Sequence, residues 1–197
     1  MNIYFTSDQH FNHANIIRYC NRPFDSVEEM NEHIIKQYNS VVRDEDVVYF
    51  LGDIGMGNIT QIIKRLKGVK ILVQGNHDKR GRKSYIKMGF SCVVEDLRLK
   101  VGKRLVNVSH VPYRKTISSF INELKLAFLD KRAKSLKQRI HRFKHRHKLI
   151  KKFNGDYTIC GHVHTAWVTK DKNINIGVDM WNFKPVPIEK LVNLMGK

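Results

Sequence analysis

Short runs of β-branched and aromatic residues punctuate the first half of the chain, and each stops at a small polar cluster. Ile3 to Phe5 is the first such run, ending just before Ser7 and Asp8. Val47-Val48-Tyr49-Phe50-Leu51 has the length and composition of a buried strand and halts at Gly52-Asp53. Val69 to Val73 repeats the pattern and halts at Gly75-Asn76. Between these runs the apolar spacing turns helical. Val27 to Tyr38 predicts a helix with Ser26 as its N-cap and Glu29 three residues on. A second helix is expected from about Ile59 to Leu66, closed by Gly68. This strand–helix–strand alternation predicts α/β layering. Further strands are expected at Cys92–Glu95, Leu97–Val101 and Leu105–Ser109, the last two joined by a Gly102-Lys103 hairpin turn. Tyr157 to Cys160 and Asn173 to Ile176 read as strands, and Pro187 as the opening of a final short helix. With no internal repeat and no linker rich in Gly, Ser or Pro, residues 1–197 are expected to form a single domain.

The interval 113–153 differs from the rest. Ile117, Ile121, Leu124, Phe128, then Leu129, Ala133, Leu136, Ile140, Phe143, His147 and Ile150 fall mostly at steps of three and four, which predicts one long helix or two shorter ones with a single apolar seam. The remaining surface is basic. Fourteen Lys or Arg against two acidic residues place twelve of the net +18 charges in this helical insertion. Such a field steers polyanions, so a nucleic acid or a nucleotide is the expected partner; a merely solvated helix face is the plainer reading. Phe120, Phe128, Phe143 and Phe153 are few and lie mainly on or near the seam, which argues against a platform for stacked bases. His141, His145 and His147 sit among Lys and Arg and read as part of the solvated face. Cys20, Cys92 and Cys160 show no CxxC spacing, and no secretory signal or membrane-length apolar stretch is visible. A cytoplasmic protein is expected.

The polar clusters that end the strands carry the chemistry. They are Asp8-Gln9-His10, Gly52-Asp53, Gly75-Asn76-His77-Asp78, Ser109-His110 and Gly161-His162-Val163-His164. Loops at strand ends converge on one sheet edge. In an extended segment residues two apart face the same side, so Asp8 with His10, and His162 with His164, are each expected to present two ligands to one point. Carboxylate, amide and imidazole donors suit Mn, Fe or Zn better than a soft metal. A carboxylate shared by two cations holds them about 3.5–4 Å apart and lets them lower the pKa of a shared water.

Taken in order, these five clusters resemble the signature of the calcineurin-like metallophosphoesterases. Tyr4-Phe5-Thr6-Ser7-Asp8, Asn21-Arg22-Pro23-Phe24 and Asn175 to Phe183 further resemble a small bacterial and phage branch of predicted phosphoesterases, over most of the chain outside 113–153. The resemblance implies a four-layer αββα sandwich with two divalent cations, manganese favoured, at one sheet edge. It implies that Asp8, His10 and His164 hold one cation, that Asn76, His110 and His162 hold the other, and that Asp53 bridges them. His77 then faces the substrate and assists the leaving oxygen, with Asp78 orienting it. The activity implied is hydrolysis of a phosphodiester or phosphomonoester by attack of a bridging hydroxide.

Phe11 stands where the commonest form of the first motif has glycine, which leaves open whether Asn12 or His13 touches substrate. For His13 and His33 taken alone an ordinary structural role is the expectation, and Cys160 reads as a small buried residue before a turn. Tyr113 and Arg114 either contact phosphate or begin the next element. Arg80 and Arg82 read as surface charge rather than as a site for a distal phosphate, and Trp181 and Phe183 as packing residues rather than a base platform. Two other classes compete: a nucleic-acid-binding module with a non-catalytic metal site, and a protein Ser/Thr phosphatase.

Overall fold

The computed structural model describes residues 1–113 and 155–196. Alternation inside the apolar runs decides which of two cores each side chain joins. Val48, Phe50, Leu72 and Val93 enter one core, while Phe5, Leu51 and Val73 enter the other. These residues belong to β1 (Ile3–Thr6), β2 (Val47–Phe50), β3 (Val69–Val73) and β4 (Cys92–Val94), or follow them directly. Both faces of these strands are covered, which is why the runs are continuously apolar instead of alternating with polar residues.

β1 to β4 pair in parallel in chain order, and the short β10 (Val186–Pro187) adds antiparallel to β1. The second sheet contains β5 (Leu97–Val101), β6 (Arg104–Val108), β7 (Tyr157–Cys160), β8 (Thr169–Lys170) and β9 (Asn173–Asn175), in the order β5-β6-β7-β9-β8. β6, β7 and β9 run parallel, and β5 pairs antiparallel with β6 across the expected Gly102-Lys103 turn, where Gly102 has φ +60°.

Helices α1 (Ala14–Tyr19), α2 (Val27–Asn39), α3 (Thr60–Arg65) and α4 (Arg82–Met88) precede or link the strands of the first sheet. Met30, Ile34 and Tyr38 of α2, Ile63 of α3, and Tyr85 and Met88 of α4 pack onto that sheet and form the first core. Ser26 caps α2 by accepting the Glu29 N–H at 3.1 Å, as the sequence predicts; the Glu29 carboxylate reaches back to the N–H of Asp25, one residue before the cap, at 2.9 Å. The second core lies between the sheets, where Phe5, Leu51 and Val73 meet Val106, Val108, Ile159 and Ile174. Leu191 and Met195, in and just after α5 (Ile188–Leu194), complete it. Helices and two sheets therefore follow one another as layers, the mixed α/β sandwich expected. The predicted helical insertion at 113–153 falls outside the described residues except for Tyr113.

The elements not anticipated are short. α1 has six residues, α4 seven, β8 and β10 two each, and a 3-10 turn spans Val178–Met180. None is long enough to show a period. Among the described residues no helix is long and apolar enough to cross a membrane. Trp181 and Phe183 pack as expected: the Trp181 indole N–H donates to the Asn175 carbonyl at 2.9 Å, and the Phe183 ring lies 5.1 Å from that of Phe24. His33 also rests on these two rings, at 5.1 and 5.3 Å, an ordinary packing role.

Phe50 is fully buried, with its ring 5.7 Å from Tyr38 and 5.5 Å from Phe90. Phe50→Ala is expected to destabilise the fold by about 3–5 kcal/mol, measured as a lowered denaturation midpoint at unchanged m-value.

Candidate metal centre

The parallel direction of the strands brings the polar clusters after β1, β2, β3, β6 and β7 to one edge of the sandwich. The local geometry there is not the extended one that alternation suggested. Asp8, His10, Asp53, His162 and His164 all have left-handed backbones, with φ of 61°, 53°, 53°, 70° and 47°. A Cβ makes that conformation cost roughly 1–2 kcal/mol per residue. Backbone pairing holds it in place. The N–H groups of Asp8, His10 and Phe11 donate to the carbonyls of Gly52, Asp53 and Ile54 at 3.1, 3.0 and 2.8 Å, zipping the first two loops together. Glycine is required where loops touch. A Cβ on Gly52 would collide with the backbone of Gly75, and one on Gly161 with Ser7 Oγ and the Asp8 carboxylate.

The ligand atoms of Asp8, His10 and His164 lie within 4.8 Å of one another, as do those of Asp8, Asp53 and His110. Asn76 Oδ1 lies 2.9 Å from His110 Nε2 and 3.1 Å from His162 Nδ1. The structure thus gathers Asp53 and the other six residues expected as metal ligands into one cluster. Asp8, His10, Asp53 and His110 are buried, yet His10 Nε2 has no hydrogen-bond partner. A buried ring nitrogen without a partner, facing two buried carboxylates, fits a cation whose ligands these atoms are. The nitrogen and oxygen donors suit a first-row divalent ion.

Electrostatics divide the histidines into two kinds. Burial lowers His10 to about 3 and His162 to about 4, so both are neutral and ready to ligate. Burial also works against a charge on His110, but the Asp53 hydrogen bond and the nearby Asp8 lift it to about 9. For His164 the same penalty is outweighed by the hydrogen bond to Asp179, and its value rises to about 10. Burial pushes the Asp8 carboxyl up. Burial opposes ionisation of Asp53 too, yet His110 and the His77 N–H hold its carboxyl well below the usual carboxylate range.

Around the ligands the expectations divide. His77 is half exposed, its Nε2 4.0 Å from Asp53 Oδ2 and its backbone N–H bound to Asp53 Oδ1 at 2.9 Å. Asp78 serves the backbone rather than the His77 ring. Its carboxylate accepts from the N–H groups of Asp53 at 2.8 Å, Ile54 at 3.2 Å and Gly75 at 2.8 Å, stapling two ligand loops. Asn12 is taken up by Asn31, whose Nδ2 donates to its Oδ1 at 2.7 Å and whose Oδ1 accepts its N–H at 3.2 Å. Arg80 donates to the Gly57 carbonyl, a surface anchor. Cys160 is buried, with its thiol pushed up by that burial. Arg114 lies outside the described residues.

Three residues not expected among the ligands lie beside them. His13, expected in an ordinary structural role, places Nδ1 3.4 Å from Nδ1 of His10. Arg22 and Asp179 form a buried ion pair at 2.7 Å, and Asp179 Oδ2 lies 3.1 Å from His164 Nδ1. Their segments carried the resemblance to the small phosphoesterase branch, but spacing alone gave no reason to join residues 157 positions apart.

The raised His110 and His164 fix the sign of a pH effect. Both hold a proton in the metal-free protein at neutral pH, and an entering cation must displace it. Mn²⁺ affinity is therefore expected to climb with pH up to about 9, by ~10-fold per unit for each proton displaced, and to fall as pH drops. Calorimetric titration in buffers of different ionisation enthalpy measures the protons released; none released at pH 7 contradicts this electrostatic account.

Comparison with known proteins agrees with this geometry. Residues 1–185 match the calcineurin-like phosphoesterase superfamily domain. Uncharacterized protein MJ1445 of Methanocaldococcus jannaschii is 34% identical over 200 residues, spanning 99% of this chain and 92% of its own. The gene 66 protein of Mycobacterium phage L5 is 39% identical over 83 residues, 39% of this chain and 40% of its own. Among solved structures, AQ665 of Aquifex aeolicus, a protein of unknown function, superimposes with a TM-score of 0.66 at 26% identity, covering 98% of each chain. With its ligand-type residues gathered at the sheet edge and the domain match running through nearly the whole length, the chain belongs to the calcineurin-like phosphoesterase superfamily and is a metal-dependent hydrolase of phosphate esters.

Proposed function

We propose that this enzyme uses two divalent cations, manganese favoured, to hydrolyse a phosphodiester or phosphomonoester carried by a nucleotide or nucleic acid. The supporting observation is the place of the Asp53 carboxylate. Its Oδ2 lies 3.6 Å from His10 Nε2, in one group of donors, and 3.4 Å from His110 Nε2, in the other. A carboxylate between two donor groups suits a bridge between cations about 3.5–4 Å apart. Asp8, His10 and His164 hold one cation, and Asn76, His110 and His162 the other. When bound, the pair supplies a water of lowered pKa as nucleophile and neutralises phosphoryl charge.

His77 acts on the substrate. Its half-exposed ring stands beside the buried cluster, with its backbone tied to Asp53. From there Nε2 donates a proton to the leaving oxygen or a hydrogen bond to a phosphoryl oxygen. Asp78 contributes through the loops, because it fixes the backbone on which Asp53 and Asn76 are mounted. On the sequence alone, the basic 113–153 insertion is the candidate source of attraction for a polyanion, and Arg114 a candidate for binding phosphate. The free thiols of Cys20, Cys92 and Cys160 agree with a reducing compartment, and we place the enzyme in the cytoplasm.

The test is hydrolysis of bis-p-nitrophenyl phosphate beside p-nitrophenyl phosphate, with Mn²⁺ or EDTA. Turnover is expected with Mn²⁺ only. Asp53→Ala is expected to abolish it, and His77→Ala to lower kcat by about 10²–10⁴-fold with the fold retained by circular dichroism. Full activity in both variants would remove the proposed site.

A further inference from the structure

Two residues outside the ligand motifs make the most connected set of contacts around the cluster. The Arg22 side chain is almost completely buried. Its Nη2 donates to the Asp8 carbonyl at 2.8 Å and its Nη1 to the Gln9 carbonyl at 2.9 Å. The same guanidinium grips both oxygens of Asp179, through Nε at 2.7 Å and Nη2 at 3.1 Å. Asp179 Oδ2 in turn accepts from His164 Nδ1 at 3.1 Å. One continuous polar chain therefore runs from the backbone of the first ligand loop to the imidazole of the last.

His110 and His10 have weaker backing. His110 Nδ1 donates to the Leu51 carbonyl at 2.6 Å, and His10 Nδ1 faces the His13 ring at 3.4 Å. His164 is the imidazole with a carboxylate behind it. A carboxylate accepting Nδ1–H fixes the tautomer, orients the ring and raises the basicity of Nε2, the nitrogen left for a cation. Buried as it is, Asp179 needs a compensating charge to stay ionised, and the planar fork of Arg22 supplies it while fixing the carboxylate's orientation. The two cation positions are thus unequal. The one at Asp8, His10 and His164 has its own carboxylate and a carboxylate-backed imidazole. The one at Asn76, His110 and His162 has an amide oxygen and a carbonyl-backed imidazole.

Resting on the dinuclear reading given above, we propose that Asp179, oriented by Arg22, is a positioning residue for His164 and makes the Asp8–His10–His164 position the tighter of the two. The test is a Co²⁺ titration of the metal-free protein, followed by visible absorption and chelator competition. Wild type is expected to bind in two resolved steps. His110→Ala identifies the weaker step by removing it. Asp179→Asn, nearly isosteric and still a hydrogen-bond acceptor, is expected to weaken the tighter step by about 10–100-fold and change its absorption band, leaving the other step as it was. If Asp179→Asn does not fold, as judged by thermal melting without metal, Arg22→Lys replaces it with the same step expected to weaken. The proposal is overturned if both steps are unchanged, if both weaken equally, or if the change falls on the step that His110→Ala removes. Fewer than two Co²⁺ bound by wild type instead overturns the dinuclear reading, before any variant is compared.

Discussion

Two carboxylates, Asp8 and Asp53, are buried together in one small volume, and everything around them answers that charge. An isolated buried carboxylate costs several kcal/mol even after the protein relaxes. Four imidazoles, an amide and a row of backbone N–H groups surround the pair. Even so, a ring nitrogen of His10 is left without a partner. A divalent cation suits such a balance, because burial keeps His10 and His162 neutral and the protons on His110 and His164 leave the His10 nitrogen without a partner. The site's chemistry and the fold's tolerance of buried charge are the same problem.

The backbone carries the cost of holding these groups. Left-handed residues cluster in the ligand loops, and a sandwich with free loops would relax them. Three kinds of fastening prevent it: the zipper between the loops after β1 and β2, the Asp78 carboxylate across Asp53, Ile54 and Gly75, and the Arg22 fork on the Asp8 and Gln9 carbonyls. The first core anchors the same loops from below, since Phe11 and Ile54, between or beside the ligands, are fully buried in it. A preformed site lowers the reorganisation that binding a cation or a phosphate would otherwise require.

Much of this was legible in the sequence. The buried strands announced themselves as continuous apolar runs, and Ser26 with Glu29 announced α2, because burial on two faces and capping both leave local signatures. The five polar clusters were legible as well, since each is contiguous. What could not be read was the backbone inside them: alternation predicts an extended Asp8–His10 pair, whereas long-range pairing with Gly52 and Asp53 makes both residues left-handed. Asp78 misled for a related reason. Adjacent in sequence to His77, it is spent on N–H groups from a loop some 25 residues away. Arg22 and Asp179 were visible as text but not as a pair, for nothing local marks a contact that closes only when both sheets are assembled.

Gly52, Gly75 and Gly161 sit where one loop's backbone touches the next, with no volume for another carbon. Every heritable change at a glycine codon that alters the residue adds that carbon. A side chain at any of these positions must push one loop away from the next, while the half-exposed rim around His77 has room for a changed side chain.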